Sequence, residues 1–149
     1  DYYASRGLGD VYKRQVPDFT LMDIHNHPVN LYSEISPYTL LLFWHTQCSH
    51  CQSLMEALPQ LCQKEIFTHQ QIKLIGISID ENREDWEKFS IQYPLEWVNI
   101  HAAGSFDSEI ANDYNLFATP SMFLIDENHK IIAKPTTIGE LEKNIGELE

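Results

Sequence analysis

The chain has 149 residues, of which 43% are apolar, and no apolar run approaches the ~20 residues of a membrane-spanning helix, so it reads as one water-soluble globular domain. Ten Lys and Arg against 22 Asp and Glu leave a net charge of −12, which repels phosphate backbones and argues against a nucleic-acid partner. Three cysteines, Cys48, Cys51 and Cys62, are too few and too uneven for a disulfide framework and fit a close redox pair plus one odd thiol.

Residues 5–15 read SRGLGDVYKRQ and resemble the conceptual translation of a transposon adapter used to prepare sequencing libraries. Residues 1–15 are therefore set aside as a non-native or disordered leader, and the domain is placed at 16–149. Without the leader, 7 basic residues face 20 acidic ones. The start of the sequence then carries no information about a signal peptide.

Phe19 to Met22 suits a short strand, Asp23 to Pro28 a turn, and Val29 to Ile35 is ambiguous. Thr39 to His45 is apolar and β-branched without alternation, the pattern of a central strand buried on both faces. Cys48-Ser49-His50-Cys51 follows at once. From Ser49 to about Phe67, Leu54, Leu58, Leu61, Cys62 and Ile66 keep helical spacing, with a kink expected at Pro59. Ile72 to Ile79 is a second buried strand, and Asp80-Glu81-Asn82 a turn and possible cap. Arg83 to Tyr93 puts Trp86, Phe89 and Ser90 on one helical face. Leu95 to Ile100 is a short strand and Asp107 to Tyr114 a short helix. Ser121 to Ile125 and Lys130 to Lys134 form a hairpin across residues 126–129. Thr137 and Glu140 resemble a capping box for the last helix. The order defines an α/β fold in which the strands joined by crossover helices run parallel and the last pair antiparallel.

One CxxC is short of a zinc ribbon, which needs two, and Gln52 rather than His follows it, against c-type haem attachment. Its place between a buried strand and a helix favours redox chemistry. A helix N-terminus stabilises an anion, so the Cys48 thiolate is favoured below the free-thiol value of ~8.5. Cys48 is assigned as the attacking thiol and Cys51 as the resolving one. His50 either stabilises that thiolate or is a solvated loop residue. His45 reads as a strand cap, and His25, His27, His69, His101 and His129 read as surface residues. Cys62 reads as a small buried hydrophobe.

Phe43-Trp44 followed by Cys48-Ser49-His50-Cys51 resembles the FW-x-x-x-CxxC block of the TlpA/ResA-like branch of the thioredoxin superfamily. Phe117-Ala118-Thr119-Pro120-Ser121 resembles its second signature, and Val16-Pro17-Asp18-Phe19-Thr20-Leu21 its opening strand. Trp86, Trp97-Val98-Asn99 and the hairpin 124–134 resemble a bacterial subgroup in which the domain ends a longer exported protein. The resemblance implies a thioredoxin-like fold: a central mixed β-sheet flanked by helices on both faces. It implies a thiol–disulfide oxidoreductase that reduces or isomerises protein disulfides in the periplasm or cell envelope. It further implies a redox-active disulfide Cys48–Cys51 with no other cofactor, an upstream electron-donor protein, and membrane anchoring through a segment outside this sequence. Trp44 belongs to the signature, and Pro120 is expected to be cis, with Thr119 offering backbone to a bound substrate strand.

Three departures bear on proton transfer. Leu42 stands where many thioredoxins bury an acid, Leu54 stands where many TlpA-like relatives place Glu, and Pro59 is later than the usual kink proline. Glu56, His50 or water are the acceptors left for Cys51. Two other activities stay open: a thiol peroxidase, disfavoured because His45 replaces the Thr of Thr-x-x-Cys, and a copper-binding protein using soft thiolates.

Overall fold

The computed structural model describes residues 14–148. The elements are β1 (Thr20–Asp23), β2 (Pro28–Asn30), β3 (Tyr38–Trp44), α1 (Ser49–Gln63), α2 (Glu65–His69), β4 (Ile72–Ser78), α3 (Arg83–Gln92), β5 (Val98–His101), α4 (Glu109–Asp113), β6 (Ser121–Asp126), β7 (Ile131–Ala133) and α5 (Ile138–Gly146). Among the described residues seven strands form one sheet in the order β2-β1-β5-β4-β3-β6-β7. β3, β4 and β5 run parallel, with α1 and α2 crossing from β3 to β4 and α3 from β4 to β5, while β6 runs antiparallel to β3 and β7 antiparallel to β6.

The apolar run of β3 explains its central position. Side chains alternate across a strand, so Leu40, Leu42 and Trp44 enter one core with α1, α3 and α5. Leu41 and Phe43 enter the other, with Ile75, Ile77, Phe123 and the α4 residues Ile110 and Ala111. All five are at 0% exposure. The mixed sheet flanked by helices on both faces is thus the thioredoxin-like fold expected. Gly76 of β4 has a packing reason: a Cβ there would lie 2.8 Å from Trp97 Nε1.

Several details differ from the sequence reading. The ambiguous stretch after Pro28 forms β2 and a 3-10 turn at Leu31–Ser33, and β2 pairs with β1 to extend the sheet beyond β5. The helix after the CxxC runs through Pro59 and is interrupted at Lys64, whose backbone is extended (ψ 145°), so α2 is a separate turn. His101, read as a surface residue, is only 8% exposed, because β5 carries it between sheet and α3 and its ring stacks on Trp86 at 5.1 Å. Glu140 N–H donates to Thr137 Oγ1 (3.0 Å), but the Glu140 carboxylate turns to Thr136 N and Oγ1 instead of completing the box. Residues 1–13 of the leader lie outside the described residues. Arg14 and Gln15 run beside β7, where Ile131 N–H donates to the Arg14 carbonyl and Gln15 bridges Lys130. Such backbone pairing is blind to which side chains are native.

Candidate active site

β3 ends at Trp44, and three residues later the chain turns into α1. Cys48 is the N-cap, in extended conformation (φ −96°, ψ 109°), and its Sγ accepts the Cys51 backbone N–H at 3.1 Å. The Cys48 N–H is held by the His45 carbonyl at 3.2 Å and the Cys48 carbonyl takes Gln52 N–H at 3.1 Å, so both ends of the residue are fixed. A cap of this kind satisfies one of the orphan donors of the first turn with a sulfur. Cys48 and Cys51 are joined as a disulfide, with their Cα atoms 5.2 Å apart. Cys48 is 9% exposed and Cys51 0%, so one sulfur sits at the rim and the other beneath it.

The facing wall comes from 71 residues further along. Antiparallel pairing of β3 with β6 sets Phe43 opposite Ser121, which brings the segment before β6 over the start of α1. The Thr119–Pro120 peptide bond is cis, and the Thr119 carbonyl oxygen lies 3.5 Å from Cys48 Sγ. Ser121 Oγ–H donates to the Ala118 carbonyl at 2.7 Å and closes this loop. A shallow groove runs from here between Thr119, Pro120, His50, Leu54 and Thr136. Phe117, 91% exposed, stands just before it.

The remaining sequence candidates lie at different depths. Trp44 is fully buried and packs on Phe89 at 5.3 Å, so it supports the dithiol from below. Leu42 and Leu54 are buried in the same core as both cysteines. Glu56 is exposed and lines a hollow with Gln52, Met55 and Phe89. At ~100° per residue it sits roughly 140° around the helix from Cys51. His50 is exposed and His45 half-buried, its Nδ1 accepting the Gln47 N–H at 3.3 Å. Cys62 is a half-buried free thiol at the edge of the core; burial pushes it up to about 11, and the nearby Glu96 charge adds to this. Among the described residues no group of three or more His, Cys, Asp or Glu is close enough to hold a metal ion.

One buried carboxylate lies close to the dithiol outside the CxxC and Thr-Pro motifs. Asp80, taken as part of a turn, is 5% exposed and accepts Thr46 N–H and Thr46 Oγ1–H, two residues before Cys48. The available signal was a carboxylate directly after a largely apolar strand.

A dithiol at the N-terminus of the helix that leaves a central strand, faced by the loop before an antiparallel strand, defines a thioredoxin-fold thiol–disulfide oxidoreductase. The chain belongs to the AhpC/TSA family, whose model matches residues 12–134. It is similar to the thiol-disulfide oxidoreductase ResA of Geobacillus kaustophilus (strain HTA426), with 26% identity over 132 residues, or 87% of this chain and 73% of that protein. A solved thiol-disulfide oxidoreductase from Bacteroides fragilis NCTC 9343 superimposes with a TM-score of 0.80 at 25% identity, covering 91% of this chain and 100% of that one. A domain of a possible thiol-disulfide isomerase from Cytophaga hutchinsonii ATCC 33406 gives 0.74 at 27% identity, covering 89% and 88%.

Proposed function

We propose that this domain reduces or isomerises disulfides of proteins in the cell envelope. The observation that carries the reading is the arrangement of the two sulfurs: Cys48 at the rim as helix cap, Cys51 enclosed one turn in. The reduced Cys48 thiolate attacks one sulfur of a substrate disulfide, the substrate S–S bond breaks, and one substrate thiolate leaves. Cys51, deprotonated, then attacks Cys48 Sγ, releasing the second substrate thiolate and leaving the Cys48–Cys51 disulfide. Two electrons from a dithiol donor protein return the domain to its reduced state. No further cofactor enters this scheme.

Thr119 offers backbone to the substrate strand, Pro120 shapes that loop, and His50 borders the groove. Glu56 is exposed and on another face of α1 from Cys51, which leaves His50 or water as the proton acceptor. The compartment, the donor protein and an anchoring segment outside this sequence rest on the resemblance to the TlpA/ResA-like branch. Among the described residues no helix is long and apolar enough to cross a membrane.

The test is insulin reduction or glutathione exchange by the purified chain, with Cys51→Ser used to trap substrate. Turnover by the wild type and mixed disulfides on Cys48 in the variant are expected. No turnover together with no trapped adduct would overturn the reading, and rapid peroxide consumption without disulfide exchange would replace it with a thiol peroxidase.

A further inference from the structure

A buried carboxylate must find hydrogen-bond donors or be expelled, because leaving one unpaired in the interior costs far more than a missing contact. Asp80 lies just past β4, 5% exposed, and takes no salt bridge among the described residues. Its donors are hydroxyls and one amide. Oδ1 accepts Thr46 N–H at 3.0 Å and Thr46 Oγ1–H at 2.7 Å, and Oδ2 accepts Ser78 Oγ–H at 2.6 Å. The Asp80 N–H donates back to Ser78 Oγ at 3.1 Å, and His101 Nε2–H donates to the Asp80 carbonyl at 2.9 Å. Thr46, Ser78 and His101 are themselves 7%, 0% and 8% exposed, so the whole cluster is buried.

What the cluster grips is the approach to the dithiol. Both donors of Thr46 point into Oδ1, and the Thr46 carbonyl on the other side takes Gln52 Nε2–H at 2.9 Å, from the first turn of α1. Thr46 is thereby pinned to β4 on one side and to the helix on the other. Trp44 just before it is tied to β4 through the Ile79 N–H at 2.8 Å. Between Thr46 and Gln52 lie only the CxxC and Gln47. The one hydroxyl side chain in the loop before Cys48 is thus committed to Asp80.

We propose that Asp80 is a positioning residue for disulfide exchange. Its carboxylate fixes Thr46 and so holds Cys48 as the cap of α1, with Sγ aligned on the Cys51 N–H and facing Thr119. The inference rests on the proposed exchange activity but acts on the Cys48 sulfur itself, which can be read without any disulfide substrate.

The experiment compares the whole chain, reduced, as wild type, Asp80→Leu, Asp80→Asn and Thr46→Val. The readouts are the iodoacetamide alkylation rate of Cys48 by peptide mass mapping, the insulin exchange rate, and the melting temperature. Asp80→Leu removes every acceptor at similar volume, and Asp80→Asn keeps Oδ1 without the charge. Thr46→Val removes only one hydroxyl donor. Alkylation and exchange are expected to fall at least about tenfold in Asp80→Leu, since small misplacements of a reacting group cost that and more. They fall about fivefold in Thr46→Val, the worth of one neutral hydrogen bond, and are rescued in Asp80→Asn to within about threefold of wild type. If Asp80→Leu does not fold, Thr46→Val against wild type carries the comparison. Wild-type alkylation in Thr46→Val and Asp80→Leu with only a lowered melting temperature would overturn the proposal. So would Asp80→Asn as slow as Asp80→Leu with Thr46→Val unaffected, which would make the charge, and not the placement, responsible. Absent exchange in the wild type, with the alkylation pattern intact, would count against the function alone.

Discussion

The Cys51 backbone N–H points at Cys48 Sγ across 3.1 Å, and this contact gives the two sulfurs unequal chemistry. Cys48 has a donor for its thiolate and sits at the rim, while Cys51 is fully enclosed. In the reduced protein at neutral pH, iodoacetamide is expected to modify Cys48 at least about tenfold faster than Cys51. Peptide mass mapping over a time course measures it, and equal rates would contradict the assignment of attacking and resolving thiols.

Cys62 is the third thiol and is expected to stay silent. Burial, helped by the Glu96 charge, raises it to about 11, so near neutrality its thiolate is on the order of a hundredfold scarcer than that of an ordinary cysteine. In the oxidised protein, where Cys48 and Cys51 are tied up, reaction with a thiol-specific chromogenic disulfide should be slow and climb about tenfold per pH unit toward 11. The sign for stability follows from linkage. The folded state holds this proton more tightly than the unfolded chain, so nothing is lost below the ordinary thiol range. Stability then declines as pH rises from there toward the folded value. Cys62→Ser should flatten that alkaline decline in urea unfolding.

His50 is exposed on the groove beside Thr119 and Pro120. An imidazole N–H at the rim of the dithiol favours the reduced form by donating to a thiolate, so His50→Ala should make the couple more reducing by about 15–30 mV, up to tenfold in the exchange equilibrium. A glutathione redox titration reads it. An unchanged potential would leave His50 as a solvated residue of the first turn of α1.

Helix α5 closes the core beneath the site, with Leu141 and Ile145 at 0% exposure. Leu141→Ala leaves a cavity and should cost about 2–5 kcal/mol in urea unfolding. The exchange rate per folded molecule should hold, because the hydrogen-bond partners of Cys48 Sγ, Thr119 and Cys51, lie outside α5. A fall in that rate at full folding would show that the helix reaches further into the site.

The cap of α5 carries its own pH dependence. Glu140 is held below the usual carboxylate range by the Thr136 N–H, then by the Thr136 hydroxyl, against a small opposing effect of burial, with Lys143 adding attraction. Its contribution is present above the ordinary carboxylate value and is lost as pH falls through the lowered folded value. Glu140→Gln should therefore reduce the acid sensitivity of α5, followed by amide exchange at its first turn.

The helix–strand order and the place of the CxxC at the head of a helix were legible because they are local. β3 announces itself by an unbroken apolar run, and α1 by spacing that places Leu54, Leu58 and Leu61 on one buried face. The interruption at Lys64 was not, since nothing in the residue forbids helix. Its extended backbone makes it at once the C-cap of α1 and the N-cap of α2. The β1–β2 hairpin was missed because Pro28-Val29-Asn30 is too short to show a period.

By itself the sequence determined that two cysteines open a helix after a buried strand and that a Thr-Pro dipeptide accompanies them. Both are properties of neighbouring residues, set by periodicity and by the polarity of a helix end. The tertiary structure alone decided which distant groups those residues meet. Thr119 comes within 3.5 Å of Cys48 only because β6 pairs antiparallel with β3. Asp80 grips Thr46 only because β4 runs parallel beside β3, ending level with it at Ser78 opposite Trp44. The docking of α3 on the sheet likewise buried His101 against Trp86. Strand register and helix docking are collective outcomes of packing, and no single segment contains them.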